Sequence, residues 1–125
     1  MAIVKRINVV FLYVRDLASV RKFYEAAFDL GKPVVDAKWW VEYAVGDGSH
    51  LALHQLDAKH AAHAGLGAGA VKFSFEVDDI QVYTTKLKKL GATFHFEPRT
   101  EFGFWLAEFE DVEGNAVRLF QKITK

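Results

Sequence analysis

The sequence predicts an α+β fold made of two βαβββ modules in tandem, and three observations predict it. The chain repeats itself, each copy has one helix-periodic stretch among several strand-periodic ones, and glycine-bearing turns fall at matching places in both copies. Residues 7–17, INVVFLYVRDL, align with residues 70–80, AVKFSFEVDDI, so that Val14 meets Val77, Asp16 meets Asp79 and Leu17 meets Ile80, 63 positions apart. At the module ends GSHLALHQ (48–55) aligns with GNAVRLFQ (114–121), 66 positions apart, setting Gly48 on Gly114, Leu53 on Leu119 and Gln55 on Gln121. The organisation expected is a single domain, 1–125. Module one spans 1–55, an Ala-, Gly- and His-rich linker spans 56–69, and module two spans 70–125.

Each module reads in the same order. In the first strand Val10, Leu12 and Val14 alternate with Val9, Phe11 and Tyr13, apolar on both faces. Asp16 stands where a helix N-cap accepts from free backbone N–H groups. In DLASVRKFYEAAFDLG the residues Val20, Phe23, Tyr24, Ala27 and Phe28 follow i, i+3, i+4 spacing, and Gly31 is expected to stop the helix. Strands follow at 33–37, 39–46 and 50–55, the last two joined by the turn GDGS. The second module has its first strand in VKFSFEV, and Asp79 caps a helix with Ile80, Tyr83, Leu87 and Leu90 inward, ended by Gly91. Its remaining strands lie at 92–97, 103–110 and 116–121, with the turn DVEGN between the last two. One helix covers only one face of a four-stranded sheet, so the other face is where function is expected.

Composition narrows the classes. Hydrophobic residues make up 51% and charged ones 26%, the balance of a globular protein. Lys plus Arg and Asp plus Glu both number 16, which argues against a nucleic-acid partner held by phosphate neutralisation. With no cysteine, disulfides, thiolate metal sites and cysteine nucleophiles drop out together. The first apolar run is only about eight residues before Arg15 and Asp16, too short for a membrane span and without a cleavage site. No membrane partner and a cytoplasmic location are expected.

The segments VRDLASVRKFYEAAFDLG, GDGSHLALHQ, VKFSFEVDDI and FEDVEGNAVRLFQ, in this order and spacing, resemble the vicinal oxygen chelate superfamily. Glyoxalase I, extradiol dioxygenases, fosfomycin-resistance enzymes and bleomycin-resistance proteins belong to it. The resemblance covers essentially the whole chain and implies tandem modules forming cupped mixed sheets. It also implies, in enzymatic members, a divalent metal held by one residue from the first and last strand of each module. The corresponding positions here are Val9, Ala52, Lys72 and Arg118. Val and Ala carry no donor atom, Arg keeps its proton and Lys would have to lose one, so no metal and no cofactor are expected. Among the five histidines, His60 and His63 read as solvated linker residues. His50 and His54, at ~3.3 Å per residue, stand roughly 13 Å apart and cannot share one ion directly. Meeting His95 or a carboxylate of the other module, His54 would give a displaced metal; otherwise it lines the site wall.

Strand alternation, anchored on those four positions, lists the open face. It carries Phe11, Tyr13, His50 and His54 from the first module, and Lys72, Ser74, Glu76, Ala116, Arg118 and Phe120 from the second. Trp39, Trp40, Tyr43, Phe102, Phe104 and Trp105 are candidate stacking surfaces, of which Trp40 and Trp105 are preferred. Lys72, Glu76 and Arg118 either compensate one another or leave two cations against one carboxylate for a ligand. The expected ligand-binding set is Phe11, Tyr13, Trp40, His50, His54, Lys72, Ser74, Glu76, Trp105 and Arg118. The function expected is that of a bleomycin-resistance-like homodimer sequestering a small, partly aromatic or anionic molecule. Bleomycin itself is cationic, which a positively leaning face would not favour. The rival reading is an enzyme, a lyase, isomerase or dioxygenase with a relocated metal or with Glu76 or His54 as general base.

Overall fold

The computed structural model describes residues 7–56, 73–101 and 103–123. The chain divides into two compact units, Met1–Ala64 and Gly65–Lys125.

The first unit runs β1 (Val10–Val14), α1 (Leu17–Phe28), β2 (Val35–Asp36), β3 (Trp40–Val45) and β4 (Ser49–Gln55). Its sheet order is β1-β4-β3-β2, with β1 parallel to β4 and the other pairs antiparallel. Asp16 caps α1 by accepting from the backbone N–H of Ser19 at 3.3 Å and from its hydroxyl at 2.7 Å. Leu17, Val20, Phe23, Tyr24 and Ala27 are the buried stripe, packed over a sheet face built from Val14, Val41, Tyr43, Leu51 and Leu53. Tyr43 is wholly buried and its hydroxyl donates to Glu25, which Arg21 also grips at 2.9 Å while reaching Asp36 at 3.0 Å. Burial, and then the Glu25 carboxylate, push the Tyr43 phenol well above its ordinary value. The helix stops earlier than Gly31. Asp29 takes the left-handed cap conformation (φ 50°) and its N–H bonds the carbonyl of Glu25, a role its short polar side chain tolerates.

The second unit repeats the order: β5 (Ser74–Glu76), α2 (Ile80–Lys89), β6 (Thr93–Glu101), β7 (Phe104–Glu110) and β8 (Ala116–Lys122). Its sheet is β5-β8-β7-β6, again with one parallel pair, β5 with β8. Ile80, Leu87, Ala107, Phe109, Val117 and Leu119 form its core. β6 is longer than expected and irregular, with register shifts between Phe94 and Phe96 and between Phe96 and Arg99. Two four-stranded mixed sheets with one helix each are the α+β, βαβββ architecture expected from the sequence.

The repeat extends to a half-buried detail. The side-chain carbonyl of Gln55 accepts from the N–H of Leu17 at 3.0 Å, and that of Gln121 accepts from the N–H of Ile80 at 2.7 Å. The aligned glutamines, late in each last strand, thus satisfy the first N–H of each helix. Replacing Gln121 by leucine is expected to cost about 1–2 kcal/mol, since the Ile80 N–H loses its acceptor. Urea unfolding of the variant checks this; an unchanged midpoint would show the bond to be dispensable.

Candidate functional site

In the first unit the register places Phe11 beside Ala52 and Ala52 beside Glu42, and in the next row Tyr13 beside His54 and His54 beside Trp40. His50 faces the same way beside Ala44. The rings gather into one surface. Phe11 lies 5.5 Å from Tyr13, 5.3 Å from Trp40 and 6.0 Å from His54, centroid to centroid, and Trp39 lies 5.4 Å from His54. Phe11 is 43% and Trp39 57% exposed, a large apolar area for a surface. Ala52, between Phe11 and Glu42 in the sheet, is fully buried. Phe11, Tyr13, Trp40, His50 and His54 are therefore brought to one face.

The second unit's face holds Ser74 beside Arg118 and Glu76 beside Phe120. Phe120 packs on Phe104 at 4.8 Å. The expected Lys72/Glu76/Arg118 network is not the pairing found among the described residues. Arg118 Nε donates to Glu108 at 2.8 Å, and the nearest cation to Glu76 is Lys122, 3.8 Å away. The reason is register: Glu108 stands directly opposite Arg118 on β7, while Glu76 is two residues along β5. Trp105 is a second correction. It pairs with Gln121 and shares parity with the buried Ala107 and Phe109, so it leaves the open face, as does the buried Tyr43 in the first unit. Lys72, Phe102, His60 and His63 lie outside the described residues.

Three carboxylates belong to these faces that the first and last strands alone did not reveal: Glu42 opposite Ala52, Glu108 opposite Arg118 and Glu110 opposite Ala116. They overturn the expected cation excess. Glu42 accepts from Trp40 Nε1 at 3.1 Å and meets His50 Nδ1 at 2.5 Å; the His50 bond, ahead of the indole, holds its carboxyl below the ordinary value. Glu108, only 4% exposed, takes His95 Nδ1 at 2.6 Å besides Arg118, and His95 Nε2 lies 3.1 Å from Glu110. Arg118 also sits 5.8 Å over the Phe96 ring.

Hydrogen bonding to Glu108, then to Glu110, raises the His95 pKa. A group that binds its proton more tightly when folded stabilises the fold fully below its unfolded value, near 6.5, and loses that contribution as pH rises through its folded value. The stability gap between the wild type and His95→Gln is therefore expected to be widest near pH 6 and to close on the alkaline side. Urea midpoints taken from pH 6 to 9 check this. A gap that stays constant would remove the charged imidazole from the account.

The comparisons with known proteins fit this geometry. The family model described as the Glyoxalase/Bleomycin resistance protein/Dioxygenase superfamily matches residues 6–119. The chain belongs to this superfamily. Solved structures share the fold: hypothetical protein SA1046 from S. aureus has a TM-score of 0.77 at 20% identity, covering 96% of this chain and 95% of its own. A glyoxalase/bleomycin resistance protein/dioxygenase family enzyme from Burkholderia phytofirmans PsJN has a TM-score of 0.75 at 16% identity, covering 93% and 98%. A glyoxalase-related enzyme from Fulvimarina pelagi has a TM-score of 0.76 at 16% identity, covering 95% and 89%. None of the curated proteins compared with this chain matches it. No helix among the described residues is long and apolar enough to cross a membrane.

The superfamily's usual divalent metal does not fit the groups present at its inherited positions. Ala52 has no donor and is fully buried, Val9 has no donor, and the Arg118 guanidinium is committed to Glu108. The carboxylates nearby are engaged with histidine, indole and guanidinium partners, and among the described residues no group of three His, Cys, Asp or Glu is arranged to hold an ion.

Proposed function

We propose that this superfamily member binds a small, partly aromatic molecule on the open face of the first unit, without a metal, in the cytoplasm. The observation that carries the reading is the exposed surface of Phe11, Tyr13, Trp39, Trp40 and His54 rings, carried by β1, β3, β4 and the bend before β3, each within about stacking distance of a neighbour. A flat ligand gains from such a surface without any acid–base pair. The anionic alternative loses its support, because the Arg118 charge is met by Glu108 and carboxylates are plentiful on both faces. Ser74, Glu76 and Arg118, expected as ligand-binding residues, stand on the second unit's face and are not part of this proposal. Ring surface of this extent calls for cover, so a homodimer is part of the reading, with light scattering as its check.

The test uses neutral 2-naphthol and anionic 2-naphthoate as probes, followed through tryptophan fluorescence. Both are expected to quench, 2-naphthol at least as strongly, and Trp40→Leu is expected to weaken binding about tenfold, near 1.4 kcal/mol. Quenching that is absent, or that survives unchanged in Trp40→Leu, would sink the proposal.

A further inference from the structure

The two modules carry a carboxylate at the same place and use it differently. Glu42 and Glu108 are 66 positions apart, like the strands that flank them, and each stands on the middle strand opposite the inherited last-strand position. Each meets the Nδ1 of a histidine, His50 at 2.5 Å and His95 at 2.6 Å. In the second unit the other ring nitrogen lies 3.1 Å from Glu110, so both nitrogens of His95 are taken and the ring is a clamp. In the first unit Glu42 is steadied on its second oxygen by the Trp40 indole, and His50 Nε2 has no partner among the described residues. The His50 side chain is 29% exposed on the open face, two residues along β4 from the partner of Phe11.

We propose that His50 is a general base on this face, oriented by Glu42 and Trp40, acting on a flat aromatic-bearing carbon acid. An ionised carboxylate accepts only, so Nδ1 must carry the hydrogen of the neutral ring and the lone pair must sit on Nε2. The inference rests on the ligand-binding reading above and adds a reaction to it. Nε2 takes a proton from carbon, the C–H electron pair moves into an adjacent C=O or C=N, and the ring becomes an imidazolium facing Glu42. Returning that proton to another atom of the same ligand isomerises it, with no oxidant, reductant or co-reactant needed. Glu42 and Trp40 are positioning residues; His50 is the group that would touch substrate.

Two measurements on the full chain test it. Long-range proton–nitrogen spectra are expected to show neutral His50 as the Nδ1–H tautomer, with Glu42→Ala shifting it to the more usual Nε2–H form. The second uses 5-nitrobenzisoxazole, whose ring opens when a base removes the C3 proton, the N–O bond breaking as the nitrile and the phenolate form on the same molecule. Turnover is expected, with His50→Gln and Glu42→Ala each lowering kcat/KM at least tenfold and Glu110→Gln leaving it unchanged. An Nε2–H tautomer in the wild type, or turnover indifferent to His50→Gln, overturns the proposal. Binding of 2-naphthol beside His50-independent turnover would refute the base and spare the binding reading. His50-dependent turnover without 2-naphthol binding would do the reverse.

Discussion

Replacing Arg118 by methionine is expected to cost about 2–3 kcal/mol, more than replacing its partner by Glu108→Gln, which is expected to cost about 1 kcal/mol. The asymmetry follows from exposure. The Glu108 side chain is 5% exposed, whereas Arg118 is 36% and His95 40% exposed. Take Glu108's charge away and Arg118 turns to water while His95 keeps Glu110. Take Arg118 away and a carboxylate that water barely reaches loses its guanidinium partner, while His95 Nδ1 stays at 2.6 Å. At about 4 °C per kcal/mol for a chain of this size, Arg118→Met should lower the melting midpoint by roughly 10 °C. The double variant Arg118→Met/Glu108→Gln should regain part of that loss, because the stranded charge is gone. A double-mutant cycle checks the sign: equal single costs with no coupling would mean that the pair is solvated after all.

How much of this arrangement was legible depended on what sets each strand's parity. On β1, β4, β5 and β8 alternation, anchored on the four positions that the family resemblance supplied, placed Phe11, Tyr13, His50, His54, Ser74, Glu76 and Arg118, since those strands have no bulge and pair without slippage. The carboxylates of β3 and β7 were legible too, through the turns. GDGS closes with Val45 opposite Ser49, which counts back to Glu42 opposite Ala52; DVEGN sets Glu110 opposite Ala116 and so Glu108 opposite Arg118. Carrying the count across those turns would also have moved Trp105 off the open face. His95 was beyond such counting. The two register shifts in β6 break its alternation, and only three-dimensional geometry shows His95 reaching both Glu108 and Glu110. The helix stop misread at Gly31 is a local contest that Asp29 wins by tolerating positive φ two residues earlier.

Restoring a metal-type ligand at the inherited position should harm the protein, and Ala52→Glu is the sharpest form of that test. In a metal-holding relative a carboxylate there would face the ion; here it would enter a fully buried site between Phe11 and the ionised Glu42. Three costs add. The larger side chain must displace the Phe11 and Trp40 rings, which lie 5.3 Å apart, and overpacking of this kind costs about 1–3 kcal/mol. A second carboxylate beside Glu42 adds like-charge repulsion at a site shielded from water, and any displacement of Trp40 loosens its bond to Glu42. We expect a total loss of about 3–5 kcal/mol at neutral pH, enough to abolish the wild-type quenching by 2-naphthol. The electrostatic share should recede near pH 5 as the new carboxyl takes up a proton, whereas the steric share should not. Ala52→Leu, which keeps the bulk and omits the charge, separates the two. If Ala52→Glu folded with wild-type stability, packing would not be what keeps a carboxylate from that position.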